Sequence, residues 1–396
     1  MSGQAQPARK LRIAVLNRHF GYRFGGAERY AAAVVEELAA RHEIHVFAQD
    51  IEHDFPGVTY HQISRPMAKP RWLNQIWFAF ETWRQTRRGF DAVHSHENTW
   101  HGDLQTVHVR PFRLGLFHNR HGLRRAFKWV SLFTSPRLLA YWWLEAARFS
   151  PRPGLQVIAT SGQVMADTVQ AYPHTAACMH VIAPGVKVPD TPADRAKARE
   201  QLGLPQGVAL ALFVGNDYAK KGLGTLLEAL PQVPDLHLAV VGNSQQITAF
   251  RNRAQQLQLS ERVHFVGSLA DVTPAYAAAD LLVHPTTEDT YAMVVLEAMA
   301  HGLPVIVSSA PYCGIAAELV HEQEALILDN PYDARGLANQ LLRMLPSPHL
   351  QMHLVRKARQ FAISRGWAGT ALRYESLIQH IRKITPNSID SKNTTA

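Results

Sequence analysis

Residues 281–308 read LLVHPTTEDTYAMVVLEAMAHGLPVIVS. Leu281 to His284 is a short apolar run that suits a buried strand. Thr290 to His301 is almost wholly apolar and of helical length, and Gly302 and Pro304 stop it. Val305 to Val307 resumes a strand. Strand, helix and strand at this spacing predict a parallel sheet. The same alternation runs upstream, with strands at Ala209 to Val214, His237 to Val241 and Val263 to Val266 and a helix from Gly222 to Leu230. It also starts the chain. Leu11 to Leu16 is a strand, Gly25-Gly26 a loop, Ala27 to Ala40 a helix and Ile44 to Ala48 a strand, with further strands at Asp91 to His94 and Val157 to Thr160. Residues 122–150 read as an amphipathic helix broken at Pro136. Between the halves, Ala183 to Pro192 (APGVKVPDTP) has linker composition. The expectation is an α/β chain with two Rossmann-like, doubly wound domains, 11–184 and 185–365, the same architecture built twice. Ligands of such sheets bind outside the carboxyl ends of the strands, so a cleft between two such edges would hold a donor and an acceptor.

A length of 396 residues suits two or three domains at about 150 each, and 46% hydrophobic residues can fill their cores. Cys178 and Cys313 make no disulfide framework and have no zinc spacing, which suits a reducing compartment. The first ten residues lack the apolar core of a signal peptide, and no apolar run of about 18 residues could span a bilayer. The net charge of +9 lies in one half. Residues 1–184 hold 22 basic and 13 acidic residues, whereas the remainder holds 19 of each. Within 65–152 the ratio is 15 to 5, interleaved with Trp72, Trp77, Trp83, Trp129, Trp142 and Trp143. That pattern suits an anionic membrane surface. Nucleic acid and a face that merely aids solubility are the rival readings.

Four stretches carry candidate chemistry. Gly25 and Gly26 precede a helix, where backbone N–H groups can meet an anion, although glycines at helix starts are common. Lys220 and Lys221 follow a strand and precede a helix, a place the helix dipole disfavours for cations, so a diphosphate is a reason for them. Asp289 lies before the apolar helix, with Glu288 beside it, and Glu297 lies about two turns on, on roughly the same face. A carboxylate can accept from two vicinal sugar hydroxyls; a capping acid plus a structural glutamate would look the same. His94-Ser95-His96-Glu97, with His101 and Asp103 close by, follows a strand. These residues suit a sugar hydroxyl or a phosphate, or a metal of the metallohydrolase kind, or a chance cluster among 21 histidines. No Asp-x-Asp is present to chelate a metal–nucleotide pair.

Together these stretches resemble the family 4 glycosyltransferases, and LEAMAHGLPVIVS is specific to that family. VGNDYAKKGLGTLLEAL and the run from His284 to Ala316 are most similar to the lipopolysaccharide core glucosyltransferase I group. The resemblance implies the GT-B fold, a retaining reaction, a nucleotide-diphosphate sugar donor (a UDP-sugar) and no cofactor or metal. It places Glu297 on the ribose hydroxyls, Asp289 on the transferred sugar and Lys220 and Lys221 on the diphosphate. Gly25 and Gly26 would face that diphosphate, His96 would lie beside the sugar and Asp103 near the acceptor. The family's first acid is usually Glu. Here it is Asp289, next to Glu288, with Thr290 and Ala292 where small glycines are usual. Trp367 and the helix after it resemble a terminal helix that returns to the first domain over 366–384, with a disordered tail at 385–396. The implied acceptor is a lipopolysaccharide core or related glycolipid, met at the cytoplasmic face of the inner membrane, with nucleic acid not expected. Another glycolipid or polysaccharide acceptor, or a GT-B-fold UDP-sugar epimerase, would carry the same motifs.

Overall fold

The computed structural model describes residues 9–67, 69–117, 131–191, 193–242 and 245–384. The chain divides into two units, Met1–Pro184 with Trp367–Ala396, and Gly185–Gly366. The tail at 385–396 and Trp129 lie outside the described residues.

The first unit contains β1 (Arg12–Leu16), β2 (His19–Gly21), β3 (Glu43–Ala48), β4 (Asp50–Glu52), β5 (Val58–Gln62), β6 (Ala92–Ser95), β7 (Leu104–Val107), β8 (Gln156–Ala159) and β9 (Met179–Val181). Seven of these form one sheet in the order β5-β3-β1-β6-β7-β8-β9, while β2 and β4 pair separately. Every pairing in the sheet is parallel. Helices cover a parallel sheet on both faces, so β1, β3 and β8 are mostly apolar, and Ile13, Val15, Ile44, Val46 and Ile158 are fully buried. The helices Gly26–Ala39 and Trp367–Ile384 close one side through Tyr30, Val34, Tyr374 and Ile378.

Five strands of this unit were not foreseen: β2, β4, β5, β7 and β9. β7 (LQTV) is polar at its centre yet wholly buried. Arg148 makes this tolerable: its Nε donates to Gln105 Oε1 at 3.0 Å and its Nη2 to the Thr106 carbonyl at 2.5 Å. Of the helix expected over 122–150, the described part shows helical residues 131–134, a non-helical Ser135 and a second helix from Pro136 to Arg148. The expected break at Pro136 is present: Ser135 is extended and Pro136 restarts the helix, since a first-turn position needs no N–H, and Ser135 Oγ accepts from the Leu138 N–H. Residues 118–130 lie outside the described residues.

The second unit contains β10 (Ala209–Val214), β11 (Leu236–Val241), β12 (Val263–Gly267), β13 (Leu281–His284), β14 (Val305–Ser308) and β15 (Leu326–Leu328), in the parallel order β12-β11-β10-β13-β14-β15. In both sheets the strand order reverses beside the first strand, between β1 and β6 and between β10 and β13. That reversal opens a crevice at the carboxyl edge.

Candidate functional site

In the second unit, the loops leaving β10 and β13 meet at this crevice. Gly222 has φ +81°, and a Cβ there would lie 1.9 Å from the Pro285 carbonyl oxygen. Only glycine fits, and it lets the two loops touch. The Lys220 carbonyl then accepts from the Thr287 N–H (2.8 Å), the Thr286 hydroxyl (3.1 Å) and the Thr287 hydroxyl (3.0 Å). A Cβ on Gly215 would meet Lys221 Cγ at 2.8 Å, so the lysine stem lies across that glycine.

This stitching brings four of the sequence candidates together. Lys221 Nζ donates to Asp289 Oδ2 at 2.6 Å and to the Glu288 carbonyl at 3.2 Å. Lys220 Nζ pairs with Glu288 Oε2 at 3.1 Å, both side chains being exposed. Asp289 Oδ2 also meets His284 Nε2 at 3.2 Å, and Asp289 Oδ1 accepts from the Ala292 N–H at 2.8 Å and the Tyr291 N–H at 3.3 Å. Burial alone would raise the Asp289 carboxyl; the His284 hydrogen bond and the Lys221 ammonium outweigh it and hold the group well below the usual carboxylate range.

The helix expected over Thr290 to His301 spans Met293–Ala300. Asp289 therefore shares no helical face with Glu297. It closes a loop whose last residue, Ala292, is left-handed at φ 67°. Glu297 is half-buried, and the hydroxyl of buried Tyr276 donates to its Oε2 at 2.6 Å. The Tyr276 ring in turn stacks on His301 at 5.1 Å.

In the first unit, Gly25-Gly26 follows β2 and starts the helix Gly26–Ala39, where the Gly25 N–H donates to Glu28 Oε2 at 3.0 Å. His96 leaves β6 beside the reversal point, its N–H on the Leu16 carbonyl at 2.9 Å. Its Nδ1 meets His108 Nε2 at 2.9 Å, while its buried Nε2 has no protein partner. A buried nitrogen left unpaired costs about 1–3 kcal/mol, which a ligand hydroxyl would recover. His94 Nε2 is spent on Thr106 Oγ1 at 2.7 Å. Asp103 is not brought to this edge. It precedes β7 at the amino end, and its carboxylate accepts the Val93 N–H at 2.8 Å. Among the described residues no group of three or more His, Cys, Asp or Glu is placed to hold a metal ion.

Burial, reinforced by the Arg148 guanidinium, lowers His94 and His108 to about 3 and pulls His96 well below its ordinary value. All three are neutral in the folded protein at pH 7. Unfolded, each takes a proton below about pH 6.5. The stability they share is thus complete above about pH 6.5 and is lost as pH falls towards 3, by at most about 1.4 kcal/mol per group per pH unit. The first unit is expected to melt at clearly lower temperature at pH 5 than at pH 7; equal calorimetric midpoints would contradict this.

Sequence reasoning passed over His284, Tyr276 and His108. His284 had one visible signal: a polar residue closing an otherwise apolar strand at its carboxyl end.

The family model for glycosyl transferases group 1 matches residues 194–361, and that for glycosyltransferase family 4 matches residues 24–188. The lipopolysaccharide glucosyltransferase WaaG of Escherichia coli (strain K12) is 28% identical over 229 residues, 55% of this chain and 60% of WaaG. The match thus spans less than two thirds of that relative's length. In structure, WaaG superimposes with a TM-score of 0.77 at 23% identity, over 95% of this chain and 100% of WaaG. The D-inositol 3-phosphate glycosyltransferase of Corynebacterium efficiens is 26% identical over 319 residues, 74% of this chain and 72% of that protein. Anabaena HepE, solved in complex with UDP and glucose, has a TM-score of 0.70 at 20% identity, over 93% of this chain and 99% of HepE.

Proposed function

Because the chain belongs to glycosyltransferase family 4, with the GT-B fold of two Rossmann-like halves, we propose that it transfers a hexose, with retention, from a UDP-sugar to a lipopolysaccharide core or related glycolipid. The observation that carries this reading is the meeting of Lys220, Lys221, Glu288 and Asp289 at the strand-order reversal of the second unit. Cations and acids side by side suit a ligand with an anionic end and a hydroxylated end. Glu297, held by Tyr276, takes the ribose hydroxyls.

The chemistry follows from charge. Breaking the bond between the anomeric carbon and the diphosphate oxygen leaves negative charge on the diphosphate and positive charge on the sugar ring. Lys220 and Lys221 stabilise the first. The acceptor hydroxyl oxygen bonds to the anomeric carbon on the face the diphosphate leaves, and its proton passes to the departing phosphate oxygen. No cofactor enters this scheme. His96, with its unpaired Nε2, is suited to a sugar hydroxyl. Asp103, at the amino end of β7 and bonded to the Val93 N–H, takes no part in this scheme.

The UDP choice is supported by the HepE complex, and the lipopolysaccharide acceptor by WaaG. The inositol-phosphate relative, which matches more of this chain, favours a second reading in which the acceptor is another phosphorylated polyol. Delivery at the cytoplasmic face of the inner membrane is supported by the helix Arg71–Thr86, which exposes Phe80 and Trp83 beside Arg84, Arg87 and Arg88. Among the described residues no helix is long and apolar enough to cross a membrane.

A screen of UDP- and GDP-sugars tests the donor. One UDP-sugar at about 100 times its Kd is expected to add about 2.7 kcal/mol of apparent stability, read as a higher melting temperature. No shift with any nucleotide sugar contradicts the reading, and isomerisation of the sugar without acceptor converts it to the epimerase. Salt-insensitive sedimentation with anionic vesicles contradicts the electrostatic membrane contact.

A further inference from the structure

Asp289 has no acceptor position left. A carboxylate offers about four lone-pair sites. Here two backbone N–H groups, Tyr291 and Ala292, take Oδ1, while His284 Nε2 and Lys221 Nζ take Oδ2. The side chain is only 15% exposed. A sugar hydroxyl can therefore reach this carboxylate only by displacing a donor. Three of the four donors are fixed: two belong to the loop backbone, and the third is a ring with no solvent exposure. The fourth is an ammonium on a four-carbon stem that crosses Gly215 and is 24% exposed.

We propose that donor binding transfers Lys221 from Asp289 to the diphosphate, and that the acceptor site vacated on Oδ2 is then filled by a hydroxyl of the sugar, with His284 as the positioning residue that keeps the carboxylate aimed. This rests on the nucleotide-sugar reading above. The exchange couples the two ends of the donor. A nucleoside diphosphate without sugar strips Lys221 from Asp289 and leaves a buried carboxylate short of a partner. A nucleotide sugar refills the place. The enzyme thus discriminates for the intact donor over its own diphosphate product, using an aspartate too short and too well anchored to reach outward. His284 supplies the remaining side-chain donor throughout, which also keeps Asp289 ionised.

The experiment is a double-mutant cycle read by calorimetric titration with UDP and UDP-glucose. Asp289→Asn keeps a carbonyl for the Tyr291 and Ala292 N–H groups, so the loop is retained, and unliganded melting verifies that. It releases Lys221 in advance. UDP is expected to bind about tenfold tighter to Asp289→Asn than to the unsubstituted protein. UDP-glucose gains far less, so the UDP-glucose to UDP affinity ratio falls at least about fivefold. In a Lys221→Met background, Asp289→Asn is expected to change UDP affinity by less than about twofold. Equal tightening of both ligands, or the same tenfold gain without Lys221, would be removal of a nearby negative charge and overturns the exchange. Failure of the unsubstituted protein to bind either ligand overturns the donor reading itself, and the exchange with it.

Discussion

Replacing Lys221 with alanine is expected to lower kcat/KM for sugar transfer by about 100- to 1000-fold, while Lys220→Ala lowers it by about tenfold. The two lysines are neighbours in sequence, and burial separates them. Lys221 is 24% exposed and hydrogen-bonded within the crevice, whereas Lys220 is 57% exposed and paired to an equally exposed Glu288. An ammonium shielded from water acts on the leaving diphosphate through a lower effective dielectric, so its loss costs more. The alanine also removes one of the four donors on Asp289, which adds a stability loss of about 1–2 kcal/mol. Steady-state transfer assays with each variant, alongside their melting curves, separate the two effects. Transfer by Lys221→Ala within about threefold of the unsubstituted protein removes the lysine from the donor site.

Gly222→Ala is expected to cost about 3 kcal/mol or more and to lower the melting temperature by roughly 10 °C. Two penalties add. A left-handed backbone at φ +81° costs an alanine about 1–2 kcal/mol, and its Cβ would lie 1.9 Å from the Pro285 carbonyl oxygen, where backbone must move. The movement separates the loops after β10 and β13, so Lys220 and Lys221 lose their place beside Glu288 and Asp289. Residual folded protein is therefore expected to transfer sugar poorly at temperatures where it remains native. Calorimetry reads the first effect, and an unchanged midpoint would mean that the contact between these loops is not as described. By contrast, a Cβ on Gly26 would meet nothing within 4 Å, so the same substitution there has no such steric cost.

Much of this architecture was legible because parallel strands covered on both faces are mostly apolar. The runs at 11–16, 209–214, 281–284 and 305–307 stood out for that reason, and each is a strand. β7 did not stand out, because Gln105 and Thr106 look like surface residues until Arg148, 43 positions from Gln105, is seen donating to both. The start of the helix at Met293 was equally hidden. Residues 290–292 carry no helix-breaking glycine or proline, yet Asp289 Oδ1 takes the N–H groups of Tyr291 and Ala292 and turns the chain left-handed before the helix begins.

The candidate site divides along the same line. Lysines at the end of a strand, acids before and within an apolar helix, and a histidine after β6 are visible as residue types at particular distances along the chain. Composition and spacing alone were enough to place them at the carboxyl edges of two parallel sheets, since hydrophobic periodicity sets the strands and the strands set their edges. Spacing could not say which lysine meets which acid, that Asp289 is filled on all four sides, that His284 is one of its donors, or that Asp103 faces the other end of its sheet. Those are pairings across 5 to 68 residues, decided by where the strand order reverses and by a single glycine that lets two loops touch. A hydrogen bond depends on distance and direction in space, and only the packed chain has those.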